Sequence, residues 1–294
     1  MLGNHLASLL PQARRVTHEV YDLMNMIDCR QVFENSPRHV YNLSGMNGGL
    51  PWNQAEPAEI FYQSTQMNLN ILTCCQQYGV EKVINVISAC SYPDNGKTIL
   101  KEEELFDGPP SLSTECHGYA KRVLLEYSRQ LYKQYGLNSV CVILTNCYGD
   151  YDRFDLRRTK VVGATIRRLW DAKHNNLPSV TFYGDGSPVR ELMYAGDAVL
   201  ALKLMMDCHD DPMSPINVGS GQTISIFDLV YKVKELIGYE GEILWNTEKI
   251  NGQQYRHLCT DKMNRMISMT MTPLEEGLKK AIRYYERKGR FLDR

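Results

Sequence analysis

Four side chains that can hold or exchange a proton lie at the ends of predicted secondary-structure elements. Ser88 and Cys90 end a continuous apolar run, and His117 and Lys121 stand four residues apart in a later helical run. An imidazole with an ordinary pKa of about 6.5 can move protons near neutral pH. The ammonium of Lys121 disfavours the cationic form of a neighbouring imidazole, which lowers the pKa expected for His117. The pattern indicates an acid/base centre.

The elements that must position these side chains alternate between strand and helix patterns. Residues 82–90 and 139–145 predict buried strands, and residues 57–78, 113–135 and 161–173 predict helices. Continuous apolar strands separated by helices are typical of a parallel sheet that is covered on both faces. The fold class is therefore predicted to be α/β. Weaker patterns predict strands at 39–45 and 216–221 and helices at 198–206 and 225–237.

Composition excludes several classes of function. The 294 residues can bury one large core or a large domain with a smaller lobe, and the net charge of −1 predicts no nucleic-acid partner. No apolar run approaches the roughly 18 residues of a membrane span. The nine cysteines are scattered without metal-ligand spacing, so no metal site is predicted and buried, reduced thiols are expected.

The first sixteen residues contain no acid and include Arg14 and Arg15, which is also typical of an organellar presequence. The other interpretation is an amphipathic helix of the fold. A cytoplasmic location is predicted, with a mitochondrial one as the alternative.

Several motifs occur in a fixed order along nearly the whole chain. One is Ser88-Ala89-Cys90-Ser91-Tyr92-Pro93, and the others lie at residues 45–49, 145–149, 152–154, 183–191 and 216–219. Together they resemble the motifs of the GDP-L-fucose synthase family, which are epimerase-reductases of the extended short-chain dehydrogenase/reductase superfamily. The resemblance implies a Rossmann-like, doubly wound parallel sheet with a smaller C-terminal substrate lobe. It places the nucleotide-binding core at 1–160 and most of the substrate lobe, interleaved with the core, at 161–294.

Enzymes of this family epimerise a GDP-sugar beside its ketone and then reduce the ketone with NADPH. The resemblance implies that Ser88 would hydrogen-bond the sugar oxygen, although a strand-end cap is the other interpretation. Cys90 would be the acid or base of epimerisation. Lys121 would bind the cofactor ribose and tune its neighbour, and Asn146 would lie in the same cofactor site.

Three residues fall where the family binds phosphate and sugar, and they are Arg168, Tyr183 and Arg190. A guanidinium fork suits a diphosphate, so affinity for a GDP-sugar is expected. Arg168 follows another arginine on a predicted helix, and a solvent-exposed charge is the alternative interpretation for it.

Two catalytic positions depart from the family. His117 stands where the family has a tyrosine, and Tyr119 is too close to Lys121 in the chain to share its face of the helix. Lys160 stands where the family has a histidine. A desolvated lysine can still act as an acid, whereas a surface ammonium is the other interpretation.

A third departure lies at the start of the sequence. The family opens with a strand and three spaced glycines, and only Gly3 matches, as the last glycine that permits close helix–strand packing. The cofactor implied is NADP, and the two unmatched glycines predict that its binding is weak. Three outcomes stay open: the flanking strands close the gap, a partner chain fills it, or the sequence begins late.

The three departures predict a degenerate member that binds a nucleotide sugar, turns over weakly or not at all with NADP, and serves as a binding or structural subunit. The main alternative is an active NADP-dependent GDP-sugar epimerase-reductase. A further alternative is an epimerase or isomerase that uses Cys90 and Lys160 without net hydride transfer. The resemblance also implies a homodimer formed through the helices at 57–78 and 113–135, and membership of a larger assembly is consistent with the degenerate interpretation.

Overall fold

Helices and parallel strands alternate through most of the chain in the computed structural model, which describes residues 1–249 and 251–288. The α-helices are α1 (Leu2–Leu9), α2 (Met26–Phe33), α3 (Leu50–Ala55), α4 (Pro57–Gln77), α5 (Glu115–Tyr135), α6 (Val161–His174), α7 (Ala195–Cys208), α8 (Ile226–Ile237), α9 (Asp261–Met266) and α10 (Leu274–Arg287). The strands are β1 (His39–Asn42), β2 (Lys82–Ser88), β3 (Ser139–Leu144), β4 (Asn146–Tyr148), β5 (Ser179–Tyr183), β6 (Val189–Tyr194), β7 (Ile216–Val218), β8 (Thr223–Ser225), β9 (Glu242–Asn246) and β10 (Tyr255–Arg256).

The main sheet has four parallel strands in the order β1-β2-β3-β7. Alternate residues of its two central strands enter different cores, as the period of two in a strand requires. Val83 and Cys141 pack with α4 and α5 on one face, whereas Ile84 and Val142 pack with α7 on the other. Helices therefore cover both faces of a parallel sheet, and the predicted α/β class and doubly wound arrangement are confirmed.

Local signals explain where the long helices end. Gly136 follows α5 with φ = 73°, and its N–H donates to Tyr132 at 2.8 Å. Gly238 ends α8 in the same left-handed conformation, with φ = 69°. Glycine adopts this conformation without the steric cost that a Cβ atom adds. The predicted helices at 57–78, 113–135 and 225–237 are each found within two residues of the expected ends.

A second group of strands builds a smaller lobe. Strand β6 pairs in parallel with β4 and β10 and antiparallel with β8, and β5 pairs in parallel with β9. Helices α6, α8 and α10 contribute most of the apolar residues of this lobe's core, and the strands contribute most of the rest. Strand β7 lies between β6 and β8 in the chain but pairs with β3 in the main sheet. The boundary between 1–160 and 161–294 stays a prediction, and residues 250 and 289–294 lie outside the described residues.

The start of the chain forms α1, which packs beside α7. Among the described residues β1 pairs with β2 alone, so no described strand occupies its other edge. A Cβ atom at Gly3 would meet no atom within 4 Å. Among the described residues, nothing packs closely against Gly3, and its predicted role in the cofactor site stays a prediction. Within the described ranges, no helix has the length and apolar character to cross a bilayer.

Candidate active site

The carboxyl end of β2 carries the predicted serine and cysteine. Strand β2 ends at Ser88, and a short 3₁₀ turn follows at Ala89–Ser91. The hydroxyl oxygen of Ser88 accepts the N–H of Cys90 at 3.3 Å, so Ser88 does cap the end of the strand. Cys90 is 9% exposed, which places its thiol inside the protein beside the capped turn.

Helix α5 approaches this turn closely because it carries a glycine at the point of contact. A Cβ atom at Gly118 would lie 2.5 Å from the carbonyl oxygen of Cys90 and 2.8 Å from Pro110. Only a residue without a side chain allows the two backbones to come so near. The contact brings His117, the preceding residue of α5, into the interior at 2% exposure.

Lys121 lies one helical turn further along α5 and is 4% exposed. Its ammonium donates to the carbonyl oxygen of Ser44 at 2.7 Å. The next residue, Gly45, has φ = 153°, and a Cβ atom there would lie 3.2 Å from the ammonium nitrogen. Burial lowers the pKa of Lys121 to about 8, because the charged form loses its hydration.

The imidazole of His117 is held neutral. Burial lowers the pKa of His117 to about 3, and the charges of Lys121 and Lys160 add to the effect. Its Nδ1 atom has no hydrogen-bond partner among the described residues. Tyr119 is 39% exposed and so lies on another face of the helix, as expected. An imidazolium at this position is therefore absent near neutral pH.

Lys160 reaches the same centre from the segment before α6. A Cβ atom at Gly49 would lie 2.4 Å from the carbonyl oxygen of Thr159, so the loop at residues 45–49 is in direct contact with the segment before α6. The N–H of Gly49 also donates to the carbonyl of Arg158 at 3.1 Å. The positive charge of Lys160 lowers the pKa values of both Cys90 and His117.

An arginine that the sequence analysis missed lies against Cys90. Arg256 of β10 places Nη1 3.3 Å from the sulfur of Cys90. Its Nε and Nη2 atoms both donate to the side-chain oxygen of Gln253, at 3.2 and 3.1 Å. Burial opposes ionisation of the Cys90 thiol, but Arg256, Ser88 and Lys160 outweigh it, and the pKa of Cys90 falls below its ordinary value.

The predicted arginine of β6 lies beside the missed one. Arg190 and Arg256 stand directly opposite each other in the parallel pairing of β6 with β10. They are 8% and 6% exposed. Burial, and then the charge of Arg256, lowers the pKa of Arg190 to about 9. Among the described residues neither guanidinium has an ion pair with a carboxylate, so the site is a buried region of positive charge.

A buried glutamate fixes this pair of strands. Glu191 is fully buried, and its two oxygens accept the N–H groups of Gly221 and Leu258, each at 2.8 Å. Leu258 follows Arg256 by two residues, so the contact holds the β10 segment against β6. Burial raises the pKa of Glu191.

Comparison with known proteins shows the family. The family model for NAD-dependent epimerases and dehydratases matches residues 4–219. The chain belongs to the NAD-dependent epimerase/dehydratase family. It is 32% identical to a GDP-L-fucose synthase of Sinorhizobium fredii, over 85% of this chain and 79% of that one. It is 30% identical to the GDP-L-fucose synthase of Escherichia coli, over 92% of this chain and 88% of that one. The resemblance to GDP-L-fucose synthases of the extended short-chain dehydrogenase/reductase superfamily is confirmed.

Solved structures of similar proteins have the same fold. A GDP-L-fucose synthetase from Naegleria fowleri bound to NADP matches with a TM-score of 0.89 and 26% identity, over 100% of this chain and 92% of that one. A GDP-6-OMe-4-keto-L-xylo-heptose reductase from C. jejuni matches with a TM-score of 0.91 and 23% identity, over 98% and 95% of the two chains. The second likeness is one of fold alone.

The remaining predicted residues of this epimerase/dehydratase lie on neighbouring elements. The Arg168 guanidinium on α6 lies 5.0 Å from the centre of the Tyr183 ring at the end of β5, so these two residues are brought together. Arg168 also donates to the carbonyl of Thr181 at 3.3 Å. The side-chain amide of Asn146 on β4 donates to the carbonyl of Glu191 at 3.5 Å. Their binding roles stay predictions.

No group of three or more His, Cys, Asp or Glu side chains in residues 1–249 and 251–288 is arranged to hold a metal ion.

Proposed function

We propose that this chain binds a GDP-linked sugar and catalyses NADP-dependent turnover of it only weakly. The observation that carries the binding part is the pair of buried arginines, Arg190 and Arg256, with no carboxylate ion pair among the described residues. The two guanidinium charges exceed the single negative charge that Cys90 can supply beside them, and buried charge that is not balanced is costly, so the pair favours an anionic ligand. A diphosphate supplies two negative groups at a spacing that guanidinium forks match.

The identity of the nucleotide rests on the relatives. The curated relatives at about 30% identity are named GDP-L-fucose synthases. A GDP-sugar is therefore the class of ligand to test first. Arg168 and Tyr183 present a cation and an aromatic ring together, which suits contact with the sugar or the base of such a ligand.

Weak NADP-dependent turnover is supported by the state of the proton-transfer groups. His117 has a pKa of about 3 and stands where the family carries a tyrosine, so it does not supply a proton near neutral pH. The two described side chains expected to hold the cofactor are both engaged within the protein. Lys121 donates to Ser44, and Asn146 donates to Glu191. These contacts within the protein compete with contacts to a nicotinamide ribose, which supports weak binding of the cofactor.

The second candidate is an active NADP-dependent GDP-sugar epimerase-reductase, and the relatives named as synthases favour it. Cys90 also supports it, because the thiol contacts Arg256 and its pKa is lowered by the charges of Arg256 and Lys160. A thiol with that environment is suited to proton transfer at carbon. The same pair, Cys90 and Lys160, would serve an epimerase that makes no net hydride transfer.

A homodimer is proposed as well, because the resemblance to the family implies a dimer contact through α4 and α5. Helices α4 and α5 lie side by side on one face of the main sheet, and each leaves aromatic side chains exposed. These are Phe61 and Tyr62 on α4 and Tyr119, Tyr132 and Tyr135 on α5. Sedimentation velocity distinguishes a dimer from a monomer, and a monomer at all concentrations would leave a host assembly as the alternative.

Ligand-dependent stabilisation tests the binding proposal. A ligand at a hundred times its dissociation constant adds about 2.7 kcal/mol to the free energy of unfolding. We expect a thermal shift with GDP or a GDP-sugar and little shift with NADPH. Arg190→Leu should abolish the shift, whereas the matched control Arg30→Leu, at an exposed position of α2, should retain it.

The outcomes separate the candidates. Absence of any shift with GDP and GDP-sugars would contradict the binding proposal. A clear shift with NADPH, together with NADPH oxidation in the presence of GDP-4-keto-6-deoxymannose, would establish the active epimerase-reductase instead.

A further inference from the structure

A glutamine holds the arginine that contacts Cys90. The side-chain oxygen of Gln253 accepts two hydrogen bonds from Arg256, to Nε at 3.2 Å and to Nη2 at 3.1 Å. The remaining Nη1 lies 3.3 Å from the sulfur of Cys90. The side-chain nitrogen of Gln253 donates at 3.4 Å to the carbonyl of Pro93, three residues after Cys90. The contacts therefore run from Cys90 through Arg256 and Gln253 back to Pro93, on the same loop as Cys90.

The whole chain of contacts is buried. Gln253 is 5% exposed, Arg256 is 6% exposed and Cys90 is 9% exposed. Water screens charges poorly at such depth, so one guanidinium acts strongly on an adjacent thiol. The residue at 253 is a neutral amide, which fixes the guanidinium without cancelling its charge. A carboxylate at this position would pair with the arginine and weaken its effect on sulfur.

Among the described residues, no carboxylate is one of the groups that shift the pKa of Cys90 most, although Asp94 acts on the neighbouring Arg190. The other groups that bear on the ionisation of the Cys90 thiol are Arg190 of β6, Lys160 before α6, Cys116 of α5, and the hydroxyls of Ser88 and Thr114. Cys116 alone among them could become an anion. Burial raises the pKa of the Cys116 thiol, so it stays neutral.

We propose that Gln253 is a positioning residue that holds Arg256 against Cys90 and thereby favours ionisation of the Cys90 thiol. The resemblance to the family already implies that Cys90 is the acid or base of epimerisation, and an ionised thiol suits the base, which takes a proton from the carbon beside the ketone of the bound sugar. In that step the C–H bond breaks and an S–H bond forms, while the electron pair of the C–H bond moves toward the ketone oxygen to give an enolate. Only the identity of this substrate rests on the proposed function.

The test measures the ionisation of Cys90 directly, without turnover. The thiolate absorbance near 240 nm is followed against pH, with Cys90→Ser subtracted to remove the other thiols. Peptide-resolved alkylation by iodoacetamide is measured beside it, and the exposed thiol of Cys208 is the internal reference. In the unaltered chain we expect the pH midpoint of Cys90 ionisation to lie below the pH midpoint of Cys208 ionisation.

Variants then separate charge from position. Arg256→Leu should raise the Cys90 midpoint by at least one pH unit, which lowers thiolate reactivity at neutral pH about tenfold. Gln253→Leu should raise the midpoint by less, and Gln253→Glu should raise it as well. The midpoint in Arg256→Lys should lie nearer that of the unaltered chain than the midpoint in Arg256→Leu does. Near-ultraviolet circular dichroism shows that each variant is folded, and the midpoint of Cys208 should not move.

An unchanged Cys90 midpoint in folded Arg256→Leu would overturn the proposal, as would a midpoint in the unaltered chain no lower than that of Cys208. A midpoint that responds to Arg256→Leu but not to either Gln253 variant would remove the positioning role of the glutamine. Loss of GDP-sugar binding leaves these measurements intact, so failure of the proposed function and failure of this inference are distinguishable.

Discussion

The ammonium of Lys121 lies 2.7 Å from the backbone carbonyl oxygen of Ser44, inside the protein and beside a glycine with φ = 153°. Among the described residues no carboxylate forms an ion pair with this lysine. The structure therefore holds a buried positive charge whose compensation is a carbonyl dipole. A charge of this kind costs stability, and it is retained where a ligand or a reaction uses it.

Removing that charge should stabilise the fold. The pKa of Lys121 falls from 10.5 to about 8 on folding, and each unit corresponds to about 1.4 kcal/mol. Lys121→Met should therefore raise the free energy of unfolding at pH 7 by about 2 kcal/mol, after allowing about 1 kcal/mol for the lost hydrogen bond to Ser44. Urea unfolding measures this change, and the exposed Lys133→Met on the same helix is the control.

The increase in unfolding free energy from Lys121→Met should depend on pH, and its direction follows from the pKa values. The unfolded chain binds the proton more tightly than the folded chain, so the penalty is complete below pH 8 and shrinks as pH rises toward 10.5. The advantage of Lys121→Met should accordingly be smaller at pH 10 than at pH 7. An equal or larger advantage at pH 10 would show that Lys121 is not destabilised by its burial.

The buried imidazole makes the fold sensitive to acid. His117 has a pKa of about 3 in the folded chain, against an ordinary value of 6.5. Below pH 6.5 the unfolded chain takes up a proton that the folded chain excludes, so this residue lowers stability as pH falls. Between pH 6.5 and pH 5 the loss should be about 2 kcal/mol.

His117→Gln should remove this contribution. The difference in unfolding free energy between the variant and the unaltered chain should therefore favour the variant more at pH 5 than at pH 7. His18→Gln is the matched control, because the side chain of His18 is 88% exposed. Parallel stability curves for His117→Gln and the unaltered chain would contradict the neutral, buried state of the imidazole.

The site residues that the sequence predicted all lie in segments with a clear strand or helix pattern. Ser88 and Cys90 follow an apolar strand, and His117 and Lys121 lie at the start of a long helix, so local patterns and neighbouring motifs located them. Parallel strands and their following helices meet at one edge of a sheet, which is why residues far apart in the chain could be placed together.

Residues without a local pattern were missed. Arg256 lies in a strand of two residues, and its importance comes from pairing with β6 and from Gln253, both of which depend on the tertiary fold. Glu191 falls inside a matched motif, yet its burial and its two backbone contacts could not be read from residue type. Gly3 is the opposite case, because the sequence pattern matched it but a Cβ atom there would meet no atom within 4 Å.

Restoring the family's phenol tests whether proton supply limits turnover. His117→Tyr should raise NADPH oxidation with GDP-4-keto-6-deoxymannose by about 10², the lower range for one acid/base group. The control is Tyr119→Phe, an exposed position of the same helix that should leave the rate unchanged. If His117→Tyr folds, binds the GDP-sugar and still shows no gain, proton supply at this position does not limit the reaction.

The close approach of α5 to the cysteine loop depends on Gly118. A Cβ atom there would lie 2.5 Å from the carbonyl oxygen of Cys90 and 2.8 Å from Pro110, and neither neighbour is the flexible end of a side chain. Gly118→Ala should therefore force the helix and the loop apart and cost about 1–3 kcal/mol, as overpacking of a core does. Gly3→Ala is the matched control, since its Cβ atom meets nothing within 4 Å, and helix propensity predicts a change of at most about 1 kcal/mol in the stabilising direction. Denaturant unfolding of both variants decides the matter, because equal stabilities would mean that α5 does not lie as close to Cys90 as the structure places it.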